Sequence, residues 1–491
     1  MPFRPILPPL SRRRIFGLSL AAAGTGLLDA HGAAAGAAGV ASPTEASVTV
    51  GSTRIGVIGP EFGGLSYEKA VMTQRLFSAS NTDLTGLFRR LGPGLLRLGG
   101  NTVERPVWTA GGRGGTPGQI APADVDALAG FLKATGWRCL YGVNLAGAAT
   151  NATSPVLAAA EVSYVAKALG ASLAGIEIGN EPDLYVGAGY FPKGSWTVQA
   201  YEALWRRFRD AIVAATPGVV VTGPAAAGSV AGWTLPFAAA ERGRIQLLTQ
   251  HYYRANGQDP ASTAAKLITT DWRLHTELEA LKHAGWAAGA PVRLAECNSY
   301  YNGGAPGVSN SYASALWVID FLFTCAIWEV SGVNLHGGGR GAYTTIADLH
   351  NTVEDVRPQY YGLKLFGMAG EGTLLQTTID ARGRNVTAYA VRPGAGGLRL
   401  VLVNKDLADD LDIVVTLPGA ASSATVLALC QQSPGAPGPS LTATSGVTLQ
   451  GSAIDLDGGW SPAAPTVVPV TGRRLKVRAP RLSALLVTVT G

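Results

Sequence analysis

The chain has 491 residues, 47% of them hydrophobic and 15% charged, with 64 glycines and a formal net charge of +6. That is too long for one compact domain and too rich in glycine for a helical bundle, so two domains rich in loops are expected. The charge gives little support to nucleic-acid binding, because no run of Lys and Arg survives beyond the first residues.

Ser11-Arg12-Arg13-Arg14-Ile15-Phe16, then the uncharged run from Gly17 to Leu28, then a tract of Ala and Gly, is the basic–apolar–small order of an export signal. Paired arginines favour the twin-arginine route to a periplasmic or extracellular location. An uncharged run of twelve residues falls short of the roughly 20 that span a bilayer, which argues against an anchor. Without residues 1–41 the balance is 35 cationic against 32 anionic residues, or +3. Four scattered cysteines (Cys139, Cys297, Cys325, Cys430) lack metal-type spacing and read as buried free thiols, although export would permit a disulfide.

Ser47–Ile58 reads as a strand that joins a C-terminal β domain. Over 60–368, eight apolar runs alternate with helix-like stretches: Gly63–Glu68, Gly94–Gly100, Arg138–Leu145, Leu173–Gly179, Val219–Gly228, Ile245–Tyr253, Val292–Glu296 and Gly332–Gly338. Tyr201, Leu204, Trp205 and Phe208 mark one apolar helix stripe. Strands that alternate with helices pair in parallel, and eight in succession close into a (β/α)8 TIM barrel. An open doubly wound sheet would carry a Gly-rich phosphate loop after its first strand, whereas Gly63-Gly64 open that strand. Beyond 369, short β-branched runs punctuated by Gly, Pro, Ser and Asp predict an antiparallel β-sandwich over 369–491.

Asn180-Glu181-Pro182 follows the fourth barrel run and Glu296 the seventh. All strands of such a barrel present their C-terminal ends to one rim, so the two acids face a common mouth. One can protonate a glycosidic oxygen while the other attacks or activates water. Either glutamate alone could instead be a helix cap or an ion-pair partner. Asn180 can donate to a sugar hydroxyl, and Pro182 restricts the backbone beside the acid. His251 and Tyr253 share a face of the sixth run. If that face is inward, Tyr253 can hydrogen-bond the attacking carboxylate; if outward, both are packing residues. Trp196, Trp233 and Trp328 are scattered and read as core, and Cys297, beside Glu296, as a packing residue.

With these residues in hand, the chain resembles glycoside hydrolase family 79, clan A barrels that include β-glucuronidases and heparanase-like enzymes. The resemblance rests on Gly64-Leu65-Ser66-Tyr67-Glu68, Arg97-Leu98-Gly99-Gly100-Asn101, Gly179-Asn180-Glu181-Pro182 and Glu296 through Gly304. It implies a retaining enzyme with Glu181 as acid/base and Glu296 as nucleophile, acting on a carbohydrate that carries β-glucuronic acid, with no cofactor and no metal. It further implies that Tyr301, Gly303 and Gly304 bind the substrate carboxylate, and that Glu68, Asn101, Asn180, Tyr253, His251 and Tyr343 belong to the sugar site. Endo-action on a uronate polymer and a non-catalytic carbohydrate-binding role are the alternatives. The oligomeric state has no signature in the sequence.

Overall fold

The computed structural model describes residues 44–491, so the expected export signal lies outside the described residues. Eight strands close into one parallel barrel: Gly63–Glu68, Leu95–Gly99, Arg138–Val143, Leu173–Ile178, Val221–Ala226, Leu247–Asn256, Val292–Tyr301 and Val333–Gly337. They are counted here as first to eighth. Outward-facing apolar side chains pack under the surrounding helices. Val198–Ala215, for instance, buries Tyr201, Trp205 and Phe208 on one face. Side chains of Asn81, Ser154, Thr197 and Asp271 cap four of the helices by accepting from the third amide of the first turn.

The lumen is filled rather than hollow. Leu95, Leu140 and Ala295 form a small apolar layer with Ala174. Arg97 lies two residues beyond Leu95 and so faces the same interior, which turns the lumen from apolar to polar as the strands approach the rim.

The sixth and seventh strands do not stop where the apolar runs predict, at Tyr253 and Glu296. Both continue as a parallel ribbon, with Tyr300 opposite Ala255 and Tyr301 opposite Asn256. Aromatic residues sustain the pairing above the rim. Within the seventh strand Leu294 pairs with Gln250 and Glu296 with His251, which leaves Ala295 as an extra residue. This bulge overrides simple alternation: Ala295 and Glu296 are consecutive, yet both face the lumen.

The C-terminal strands form a curled sheet of 11 strands with its own apolar core, which includes Val48, Leu400, Ile413 and Val487. Strand Thr44–Ile58 lies inside this sheet, antiparallel to Gly372–Asp380 and parallel to Leu411–Thr416. The sheet is therefore mixed, with one parallel pair where the short runs predict purely antiparallel pairing. A strand arriving from before the barrel is not bound by a hairpin to run against its neighbour, which accounts for the one parallel pair. All four cysteines are free, and Cys139, Cys297 and Cys325 are buried. Trp196, Trp233 and Trp328 pack, partly buried, against the barrel core. Among the described residues no helix is long and apolar enough to cross a membrane.

Candidate active site

The barrel mouth opens into a cavity of about 1450 Å³, lined by both Glu181 and Glu296. Glu181 stands just past the fourth strand with φ 49° and ψ 53°, a left-handed conformation that costs a non-glycine residue roughly 1 kcal/mol or more. Two contacts hold it there: its amide donates to the Ala225 carbonyl at 2.9 Å, and Pro182 opens the following turn. Oε1 of Glu181 lies 2.9 Å from His251 Nδ1. Oε2 has no partner among the described residues.

Glu296, 6% exposed, is held at both oxygens. Oε1 accepts from the Tyr253 hydroxyl at 2.8 Å, and Oε2 from Arg97 Nη1 at 2.7 Å. His336 Nδ1 lies 3.6 Å from Oε2. Burial alone would push this carboxyl up. The positive charges of His336 and Arg97, with the Tyr253 hydroxyl, outweigh burial and hold it far below the usual carboxylate range. The group is thus anionic at any ordinary pH. The reciprocal effect appears at His336: burial lowers its pKa, but the Glu296 and Glu68 carboxylates prevail and raise it.

Arg97 is the organising cation. Fully buried, it reaches Glu177 Oε2 through Nε at 2.6 Å, Ser66 Oγ and Glu296 through Nη1, and Asn180 Oδ1 through Nη2 at 2.8 Å. Its Nη2 also lies 3.2 Å from His251 Nε2. A guanidinium only donates, so Nε2 must accept, and the remaining ring proton sits on Nδ1 and donates to Glu181. One cation thereby fixes both the Glu296 carboxylate and the tautomer of the histidine that contacts Glu181.

Sequence reasoning placed the motif containing Arg97 but assigned that residue no role, and it missed Glu177, Glu104 and His336. A charged residue in each of two apolar strands, the second and the fourth, was the available signal for Arg97 and Glu177. Glu104 accepts from the Asn180, Leu145 and Ala146 amides and from the Tyr185 hydroxyl, which fixes the end of the fourth strand. Burial keeps its carboxyl above the usual range despite these donors.

The other anticipated residues are distributed as follows. The face shared by His251 and Tyr253 points inward. Glu68 accepts from the Asn101 amide at 3.2 Å and from the amide and hydroxyl of Thr102, each at 2.7 Å. Asn101, Asn180, Tyr301, Gly303 and Tyr343 line the cavity. Tyr253 packs between the Tyr301 and Tyr343 rings, with centroids 6.4 and 6.1 Å away. Gly303, with φ 80°, accepts from the Tyr343 amide at 3.1 Å. Gly304 is not among the lining residues: it lies behind the wall, where a Cβ would come within 2.6 Å of the Tyr343 amide nitrogen. Neither the Gly303 nor the Gly304 amide has an acceptor among the described residues.

Glu181, His251 and Glu296 each offer a ligand-type atom within 4.8 Å of the others, a spacing that could hold a metal ion. Arg97 already contacts Glu296 and His251, so a fixed cation balances this cluster from within the protein.

No family model matches the chain. A curated β-glucuronidase of Aspergillus niger is 30% identical over 252 residues, 46% of this chain and 46% of the relative. One from Neurospora crassa is 29% identical over 252 residues, 46% of this chain and 45% of the relative. The chain thus matches about half the length of these curated relatives. Among solved structures, a 4-O-α-L-rhamnosyl-β-D-glucuronidase from Fusarium oxysporum 12S aligns with a TM-score of 0.72 at 20% identity, covering 90% of this chain and 100% of that one. A GH51 arabinofuranosidase from Xanthomonas axonopodis pv. citri gives a TM-score of 0.65 at 15% identity, covering 91% and 100%. At these identities the structural likenesses establish the shared fold.

Proposed function

We propose that the protein is a retaining glycoside hydrolase that removes terminal β-linked glucuronic acid, with Glu181 as acid/base and Glu296 as nucleophile. The observation that carries this reading is the approach of the two glutamates, whose nearest-facing oxygens lie within 4.8 Å across one cavity. Retaining enzymes keep their carboxyl groups about 5–5.5 Å apart, whereas inverting ones need about 6.5–9.5 Å for a water. The environments differ in the required sense. Glu296 is buried, doubly hydrogen-bonded and anionic; Glu181 carries one histidine contact and one unpartnered oxygen.

In the first step a Glu296 oxygen attacks the anomeric carbon. The bond to the leaving oxygen breaks, its electron pair stays with that oxygen, and the Glu181 proton moves to it. In the second, water gives a proton to the Glu181 carboxylate and attacks the same carbon, which releases Glu296. The β-glucuronidase relatives support a glucuronide as substrate. Tyr301 and the acceptor-free Gly303 amide on the cavity wall offer donors for its carboxylate, with Gly304 set behind them.

The test is turnover of an aryl β-glucuronide by Glu296→Gln and Glu181→Gln. The first should fall roughly a thousandfold or more, and the second about 10²–10⁴-fold, least with a leaving group that needs no proton. Turnover of wild-type order in Glu296→Gln overturns the assignment.

A further inference from the structure

Three arginines line the cavity: Arg105, Arg254 and Arg273. Two are engaged by the protein itself. Arg254 donates to the Leu267 and Thr269 carbonyls, each at 2.9 Å, and to Thr269 Oγ1 at 2.9 Å, and it lies 3.7 Å from Asp271. Arg273 donates to the Tyr253 carbonyl and lies over the Tyr252 ring, 4.5 Å from its centroid. Arg105 differs. Its amide closes the turn after the second strand by donating to Thr102 O at 3.2 Å, but its guanidinium has no acceptor among the described residues. The neighbouring Glu104 cannot serve, because amides and the Tyr185 hydroxyl already occupy its buried carboxylate.

We infer that Arg105 forms an anion-reading position for the leaving group, and that the favoured substrates carry a carboxylate on that group. This rests on the glucuronidase reading above. Arg105, Leu184 and Tyr190 come from the loops after the second and fourth strands, the side from which Glu181 projects. The acid that protonates the leaving oxygen marks the side on which the leaving group sits. Tyr301 ends the seventh strand, and Gly303 and Tyr343 come from the loops after the seventh and eighth strands. The wall beside Arg105 suits a ring: Leu184 is 48% exposed and Tyr190 presents a half-buried face. Arg105 stands close enough to Tyr190 that its charge acts on that hydroxyl against the effect of burial. A cavity of about 1450 Å³ exceeds the roughly 300–1,000 Å³ of an ordinary ligand pocket, so a sugar and an attached ring fit together. A guanidinium fork matches a carboxylate with two parallel hydrogen bonds, which a lone ammonium does not.

The experiment compares kcat/KM for 3-carboxyphenyl and 3-carbamoylphenyl β-glucuronide, a charged and a neutral leaving group of similar shape. The wild type should favour the carboxylate about fivefold, as expected for a partly solvated ion pair, and added salt should shrink the ratio. Arg105→Gln should bring the ratio to about one, and Arg105→Lys should keep part of it. Arg340, paired with Glu354 outside the cavity, serves as the control: Arg340→Gln should leave the ratio as in the wild type. A wild-type ratio near one, or a ratio that survives Arg105→Gln, overturns the inference. Hydrolysis of neither compound by the wild type would instead overturn the glucuronidase reading on which it rests.

Discussion

Arg97 Nη1 lies 2.7 Å from Glu296 Oε2, inside a barrel mouth where the arginine has no solvent exposure. The same side chain ties Glu177 on the fourth strand and reaches Asn180 and His251. One residue of the second strand therefore sets the distance between the fourth and seventh strands, and with it the separation of the two acids.

Replacing Arg97 by Met should leave Glu177 and Glu296 buried without the guanidinium that both contact. Unfolding free energy should fall by about 3–5 kcal/mol, the usual consequence of removing one partner of a buried pair. Adding Glu177→Gln to Arg97→Met should recover part of that loss in denaturant titration but none of the turnover, since Glu296 still lacks the Arg97 donor. Equal recovery of both would mean that Arg97 acts on stability alone.

Tyr253→Phe removes the hydroxyl that donates to Glu296 Oε1 at 2.8 Å. That donor favours the anion, so its loss raises the Glu296 pKa. A nucleophile works only when ionised, and activity is lost as pH falls through its pKa. Arg97 and His336 still hold Glu296 ionised at ordinary pH, so the acid limb of the kcat/KM profile should stay in place while turnover on the plateau drops about 10–100-fold. Plateau turnover of wild-type order in the variant would show that the hydroxyl does not position Glu296.

Much of the barrel was legible because each strand is a short apolar run, and the chain order of such runs with helices between them admits few topologies. Glu181 and Glu296 were legible for the same reason: both close an apolar run, and the rim geometry brings them together. The bulge at Ala295 was not, since it depends on how Leu294 and Glu296 register against Gln250 and His251. Nor was the role of Arg97. Its partners Glu177, Asn180 and Glu296 lie 80 to 199 positions further along the chain, and only closure of the barrel brings them within 3 Å. The parallel pairing of Thr44–Thr49 with Leu411–Thr416 escaped because the sequence separation carries no record of direction.

Asp320, on helix Tyr312–Ile327, joins the barrel to the C-terminal sheet. It accepts from Thr387 Oγ1 at 2.6 Å and from the Tyr389 hydroxyl at 2.9 Å, and it pairs with the nearly buried Lys405. Asp320→Ala leaves Lys405 without its only side-chain partner among the described residues and should cost about 2–4 kcal/mol. Lys405→Met should cost less, because Asp320 keeps both hydroxyl donors. Thermal unfolding should rank the variants in that order, and equal melting temperatures for wild type and Asp320→Ala would contradict the account.

The central claim is that Glu296 forms a covalent bond to the sugar while Glu181 manages the proton. Incubation with a 2-deoxy-2-fluoro-β-glucuronyl fluoride, followed by mass spectrometry of the digested protein, tests it most directly. The account predicts one fluoroglucuronyl adduct, on the peptide containing Glu296. An adduct on another residue, or continued turnover of an aryl glucuronide by protein that never acquires the mass, would contradict it.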